Sequence, residues 1–176
     1  MDLNSDKDSF TGTSSEFQEN LSALRDIPFF SKLPMEKLKL FAYLCTRNSY
    51  KPGDYLFQQG DDDGRAFYIL EGNAALICQQ EDQEIMVREY GKNRFLGGIA
   101  ILGKNRRIFS LRALDPMICL VLKREKFKRI LEQFPELTLQ AIQGNLESIH
   151  AWEKHFLSHN LKDCQKCYKS LGVSVI

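Results

Sequence analysis

YKPGDYLFQQGDDDGRAFYILEG, residues 50–72, carries the pattern on which the fold turns. Asp54–Gln58 and Ala66–Leu70 are short runs rich in aromatic and aliphatic side chains. Lys51-Pro52-Gly53-Asp54, Asp61-Asp62-Asp63-Gly64 and Glu71-Gly72-Asn73 separate and close them. Proline presets φ, glycine accepts positive φ, and Asp or Asn bonds back to its own backbone, so each cluster is a turn signal with a mechanism. The rhythm continues through Ala74–Cys78, Glu84–Tyr90, Ile108–Ala113 and Met117–Leu122, with Glu81-Asp82-Gln83 and Leu114-Asp115-Pro116 as further punctuation. Many short strands at such spacing predict an antiparallel sandwich or barrel over about residues 49–122.

The flanks have a helical period. Leu21 and Leu24 lead into Ile27, Pro28, Phe29 and Phe30, and Pro34 opens a second helix carrying Leu38, Leu40, Phe41 and Leu44. After Lys123, Phe127, Ile130, Leu131 and Phe134 form a stripe ended by Pro135. Leu139, Ile142, Leu146, Ile149, Trp152 and Phe156 then recur at steps of three or four, which predicts a helix of roughly 25 residues, about 38 Å long. Such a helix is expected to project beyond a small β-domain and to bury its stripe on a second chain; lying along the barrel is the alternative. Residues 1–20 contain six Ser/Thr and five Asp/Glu with few apolar side chains, and are expected to be a mobile leader. The expected division is leader 1–20, β-domain with flanking helices 21–135, long helix 136–161 and tail 162–176.

With 176 residues, 24 Lys+Arg against 23 Asp+Glu and a net charge of +1, the chain suits one domain with no overall field for nucleic acid or anionic membrane. No apolar run approaches the roughly 20 residues of a membrane span, and the acidic start MDLNSDKDSF is unlike a signal peptide. The five cysteines at 45, 78, 119, 164 and 167 do not form a secreted disulfide framework, so a cytoplasmic location is expected.

The chemistry concentrates in NRFLGGIAILGKNRRIFSLRA, residues 93–113. Gly97-Gly98 is followed by Ile99-Ala100-Ile101-Leu102, read as one helical turn, and Arg107 stands ten residues past Gly97. A glycine-permitted turn into a helix start offers clustered N–H donors to an anion, and an arginine folded over it adds a charged fork. Taken alone, the pair reads better as a packing turn and a surface arginine.

In context the residues resemble the cyclic nucleotide-binding domain family over about Leu24 to Phe156. The lead-in Leu24–Pro34, the strand-turn-strand Tyr50–Gly60 and Phe67–Gly72 match its blocks in order. The resemblance implies an α+β, mainly β fold: an antiparallel double-stranded β-helix or β-roll, jelly-roll-like, with an N-terminal helical bundle and a long C-terminal helix. It implies a ligand site at Gly97, Gly98, Ile99, Ala100, Arg107, Ile108 and Ser110, with a cyclic nucleotide as ligand and no other cofactor. The family cassette reads Phe-Gly-Glu-Leu-Ala, then Pro-Arg-Ala-Ala; here Gly97, Ala100 and Arg107 fit. Gly98 replaces the glutamate that accepts from the ribose 2′-hydroxyl, and Ile108 and Phe109 replace small residues. Losing such an acceptor removes roughly 1.5–3 kcal/mol. Because a hydroxyl residue often follows the arginine where family members prefer cyclic GMP, Ile108 implies cyclic AMP. The expected function is a non-catalytic signalling module, a homodimer with an unknown protein partner. A pocket for another anionic ligand and an empty-pocket interaction protein are the alternatives.

Other constellations are weaker. His155, His159, Cys164 and Cys167 have ligand types for a metal, but the interval between the pairs is short and ordinary helix-end residues explain them; no metal site is expected. Asp61-Asp62-Asp63 reads as a solvated loop. Lys123–Arg129 reads as a solvated helix face, and the residues after Pro135 are expected not to accommodate a helix-turn-helix module, so no DNA-binding domain is expected. No nucleophile elbow, P-loop or kinase motif is present.

Overall fold

The computed structural model describes residues 7–80 and 83–160, with side chains over 15–80 and 83–154. Three helices come first: α1 (Lys7–Arg25), α2 (Pro28–Ser31) and α3 (Met35–Leu44). Eight strands follow: β1 (Thr46–Tyr50), β2 (Tyr55–Phe57), β3 (Arg65–Glu71), β4 (Ala74–Gln80), β5 (Gln83–Tyr90), β6 (Phe95–Leu96), β7 (Ser110–Ala113) and β8 (Met117–Lys123). A short helix, α4 (Gly98–Leu102), interrupts them before β7, and α5 (Arg124–Gln133) and α6 (Leu137–Asn160) complete the order. The strands form two antiparallel four-stranded sheets, ordered β1-β8-β3-β6 and β2-β7-β4-β5. This is the β-roll with flanking helices that the resemblance implied.

Side-chain alternation explains why β3 and β8 are nearly continuous apolar runs. Phe67 and Ile69 on β3, with Met117, Cys119 and Val121 on β8, face the core between the sheets, where Leu56, Leu111 and Ala113 meet them. The intervening Ala66, Tyr68, Leu120 and Leu122 face a second core under the helices. Both faces of these two central strands are therefore dry, so neither needs polar residues there. In the helical core Phe41 lies 4.9 Å from Phe30 and 5.6 Å from Phe127, ring centre to ring centre, tying the N-terminal helices to α5.

Two expectations change. Residues 7–20, expected within a mobile leader, belong to helix α1. Its C-terminal half is held because Leu21 and Leu24 are buried and Phe17 packs against the same core. Arg47 of β1 also donates to Asn20 Oδ1 and Glu19 Oε2, both at 2.8 Å. The second change concerns α6, whose length agrees with expectation but whose stripe divides. Leu137, Ala141 and Gly144 pack against the domain, with Gly144 against Phe29 of α2, while Leu139, Ile142 and Leu146 are exposed. The side chains of His155 and His159, and the whole of Cys164 and Cys167, lie outside the described residues. Among the described residues no cluster of metal-ligand types occurs, and no helix is long and apolar enough to cross a membrane.

Candidate functional site

A cavity of about 560 Å³ opens between the cassette (residues 95–109), the second sheet and the inner face of α6, within the usual size of small-molecule sites. Of the residues expected at the site, Gly97, Gly98, Ile99, Ala100, Arg107 and Ile108 line it. Ser110 does not: its hydroxyl is turned to the backbone N–H of Gln59, 2.9 Å away, where it holds the turn after β2. The remaining wall is mostly apolar, including Phe57, Leu76, Phe109, Ile149 and Trp152.

Gly97 sets the shape of the cassette. It adopts φ 88°, caps α4, and a Cβ there would lie 2.7 Å from the Arg65 carbonyl oxygen and 2.8 Å from Arg107 Nη1. Only glycine combines that conformation with so close an approach. Arg107 is almost wholly buried, with 8% of its side chain exposed. Its Nε donates to Asp63 Oδ1 at 2.8 Å, Nη2 lies 2.8 Å from the same oxygen and also donates to the Arg65 carbonyl, and the guanidinium carbon stands 4.0 Å from the Phe57 ring centre. Nη1 is left against Gly97, on the cassette side. Burial pulls the Arg107 pKa below the ordinary guanidinium value, while the charge of Asp63 opposes the shift.

The acidic run is not a solvated loop. Asp63 bridges two arginines, with Oδ2 accepting from Arg65 Nε at 2.9 Å. Asp62 pairs with Arg124, the first residue of α5, whose Nε also donates to the Ala100 carbonyl at 2.7 Å. The Arg124 N–H donates to the Gly64 carbonyl at 2.7 Å, and the Arg124 guanidinium holds the Asp62 carboxyl below the usual carboxylate range. Asp61 Oδ2 accepts from the Gln58 N–H. A charge run reads as solvated in sequence because its partners come from elements far along the chain, 44 residues on for Arg107 and 62 for Arg124. With two guanidiniums around one carboxylate, the inner cluster keeps one positive charge beside the cavity, which suits an anion.

Sequence reasoning missed Phe57, Asp63, Arg65 and Asn145. Phe57 is part of the strand run and reads as core. Asn145 is a single polar residue of the long helix, and only the packing of α6 brings it to Gly98.

A family model described as the cyclic nucleotide-binding domain matches residues 47–134. The chain is 28% identical over 118 residues to the cGMP-dependent protein kinase, isozyme 2 forms cD5/T2, of Drosophila melanogaster, covering 65% of this chain and 13% of the kinase. It is 33% identical over 109 residues to the cAMP-dependent protein kinase regulatory subunit of Hypocrea atroviridis, covering 61% and 22%. It therefore spans only a small part of these relatives' length. Among solved structures, a cyclic nucleotide-binding domain from Methylobacillus flagellatus superposes with TM-score 0.70 at 19% identity, covering 90% of this chain and 86% of that one. The catabolite activator protein of Thermus thermophilus gives 0.61 at 23% identity, covering 76% and 62%. The regulatory subunit of a cAMP-independent protein kinase A from Trypanosoma cruzi, bound to guanosine, gives 0.60 at 19% identity, covering 73% and 45%. These structures share the fold.

Proposed function

This chain belongs to the cyclic nucleotide-binding domain family, and on that premise we propose that it is a non-catalytic regulatory module that takes cyclic AMP into the cavity and passes occupancy to its C-terminal helices. The observation that carries the reading is Arg107, a cavity-lining, buried guanidinium held with Nη1 against the cassette glycine and one net positive charge around it. A phosphodiester anion meets a pre-oriented donor there, with no side-chain ordering left to offset. The aromatic and aliphatic walls fit a purine face. Ile108 brings no hydroxyl to the cavity, and this favours adenine over guanine.

Transmission runs through Arg124. It ties the cassette, at the Ala100 carbonyl, to the acidic turn and to the start of α5. Lys126 of α5 donates to the Leu44 carbonyl at 3.0 Å, and Lys37 Nζ stands over the Phe134 ring between α5 and α6. A ligand that moves the cassette therefore loads the α5–α6 hinge, provided its affinity differs between the two helix positions. The exposed Leu139, Ile142 and Leu146 suit a homodimer contact on the outer face of α6. Sedimentation equilibrium tests this: a monomer at micromolar concentration removes the dimer from the reading.

Calorimetric titration with cyclic AMP and cyclic GMP tests the ligand. The expected result is saturable binding, one per chain, tighter for cyclic AMP and weakened by Arg107→Ala. A second reading, a nucleoside without phosphate, draws on Arg107 already donating to Asp63 and the Arg65 carbonyl. Binding of adenosine as tight as that of cyclic AMP would establish it.

A further inference from the structure

Residue 98 carries no side chain, but the space beside it is filled. A Cβ on Gly98 would collide with Oδ1 of Asn145, and Phe95 Cε1 would be 3.2 Å away. No positive φ holds this position to glycine, so the restriction is spatial: the cassette cannot carry a side chain here while α6 keeps Asn145 in place. The Asn145 amide is oriented. Its Nδ2 donates to the Ala141 carbonyl at 2.9 Å, one turn earlier on α6, and this turns Oδ1 away from its own helix toward Gly98. Asn145 also lines the cavity, as do Gly97 and Arg107. The helix is seated closely enough to fix it: at the neighbouring Gly144, a Cβ would lie 2.9 Å from Phe29 Cβ.

We propose that Asn145 is a specificity-determining residue, whose Oδ1, delivered from α6, accepts a hydrogen bond from the ligand's sugar hydroxyl. The inference rests on the cyclic nucleotide reading above. In a 3′,5′-cyclic nucleotide both the 3′ and 5′ oxygens belong to the phosphodiester, so the ribose has a single free hydroxyl, at the adjacent 2′ carbon. Arg107 Nη1 lies against Gly97 and Asn145 Oδ1 against the next residue, Gly98, so an acceptor over Gly98 adjoins the corner where the phosphodiester would sit. The neutral amide oxygen accepts one hydrogen bond without the desolvation cost of a carboxylate in an apolar cavity. The acceptor sits on the helix that carries the output, so sugar recognition and the seated position of α6 become one event.

The test compares cyclic AMP with 2′-deoxy cyclic AMP by calorimetry on the full chain. The wild type should bind the ribonucleotide about tenfold more tightly, the worth of one net hydrogen bond. Asn145→Ala should bring the two affinities together by weakening only the ribonucleotide, and Asn145→Asp, which keeps an acceptor, should retain discrimination. The double variant Gly98→Glu/Asn145→Ala moves the acceptor to the cassette and should restore the preference, a rescue that a purely structural role for Asn145 would not give. Equal affinities in the wild type, or a preference untouched by Asn145→Ala, overturn the proposal and leave cyclic nucleotide binding standing. No binding of either nucleotide at millimolar concentration overturns both.

Discussion

Replacing Asp63 by asparagine removes one negative charge from a buried cluster while preserving its shape. In the native cluster the carboxylate faces Arg107 at 2.8 Å and Arg65 at 2.9 Å, with only 9% of the Asp63 side chain and 8% of the Arg107 side chain exposed. Breaking a buried pair by removing one partner costs roughly 3–5 kcal/mol, because the remaining charge stays desolvated. The amide oxygen still accepts one donor, which places Asp63→Asn near the lower end, about 3 kcal/mol. For a chain of this size each kcal/mol lowers the melting temperature by about 2–4 °C, so the variant should melt roughly 6–12 °C below the wild type. Calorimetric or circular-dichroism melts measure this directly, with Glu147→Gln as control: that carboxylate pairs with Lys32 at 2.8 Å in the open and its loss should leave the melting temperature nearly unmoved. The deficit should also persist at high salt, since buried pairs are poorly screened. Cyclic AMP should raise the variant's melting temperature at least as much as the wild type's, because Arg107, which lines the cavity, then meets the ligand without a competing carboxylate. A deficit under about 2 °C would refute the claim that the Asp63 bridge holds the clamp.

Further outcomes follow from individual residues. Gly97→Ala forces a Cβ into a left-handed conformation (φ 88°) and against the Arg65 carbonyl and Arg107, and should cost about 2–4 kcal/mol in urea titrations. Gly103→Ala, whose Cβ would meet nothing within 4 Å, should be nearly silent. Gly144→Ala improves helix propensity by about 1 kcal/mol but presses on Phe29. Hydrogen exchange should show α6 less protected in that variant while α5 is unchanged. Burial pushes the Cys45 and Cys119 thiols from 9.0 up to about 12. Folding thus favours their protonated form, and the associated stability is complete below pH 9 and is lost as pH rises toward 12. The unfolding free energy should fall across that window, and Cys45→Ala/Cys119→Ala should flatten the slope.

Most of the β-roll was legible because its strands are apolar runs between turn residues, and the two sheets follow that punctuation closely. β1 was not, since Thr46-Arg47-Asn48-Ser49-Tyr50 has no apolar face and exists by pairing with β8, Thr46 opposite Val121. β6 is two residues long, too short for any periodicity, and pairs with β3. Polar residues outnumber apolar ones along α1, but Phe17, Leu21, Leu24 and Asn20 are enough to seat its C-terminal part on β1 and the helical core. At the site, the glycines and Arg107 stand within one segment, where the family resemblance singles them out. Asp63, Arg124 and Asn145 could not be found that way, because their roles depend on which side chain the fold sets opposite them. A local pattern reports turns and strands; it does not report a carboxylate shared by two distant arginines.

Trp152 is the chain's single tryptophan and lines the cavity from α6, so its fluorescence reads both occupancy and the position of α6. Titrating wild type and Arg107→Ala with cyclic AMP while following Trp152 emission is the most direct measurement. A saturable change in the wild type that shifts to much higher concentration in Arg107→Ala is the predicted result. Emission unaltered at millimolar cyclic AMP, with no heat of binding in the same sample, would contradict the account.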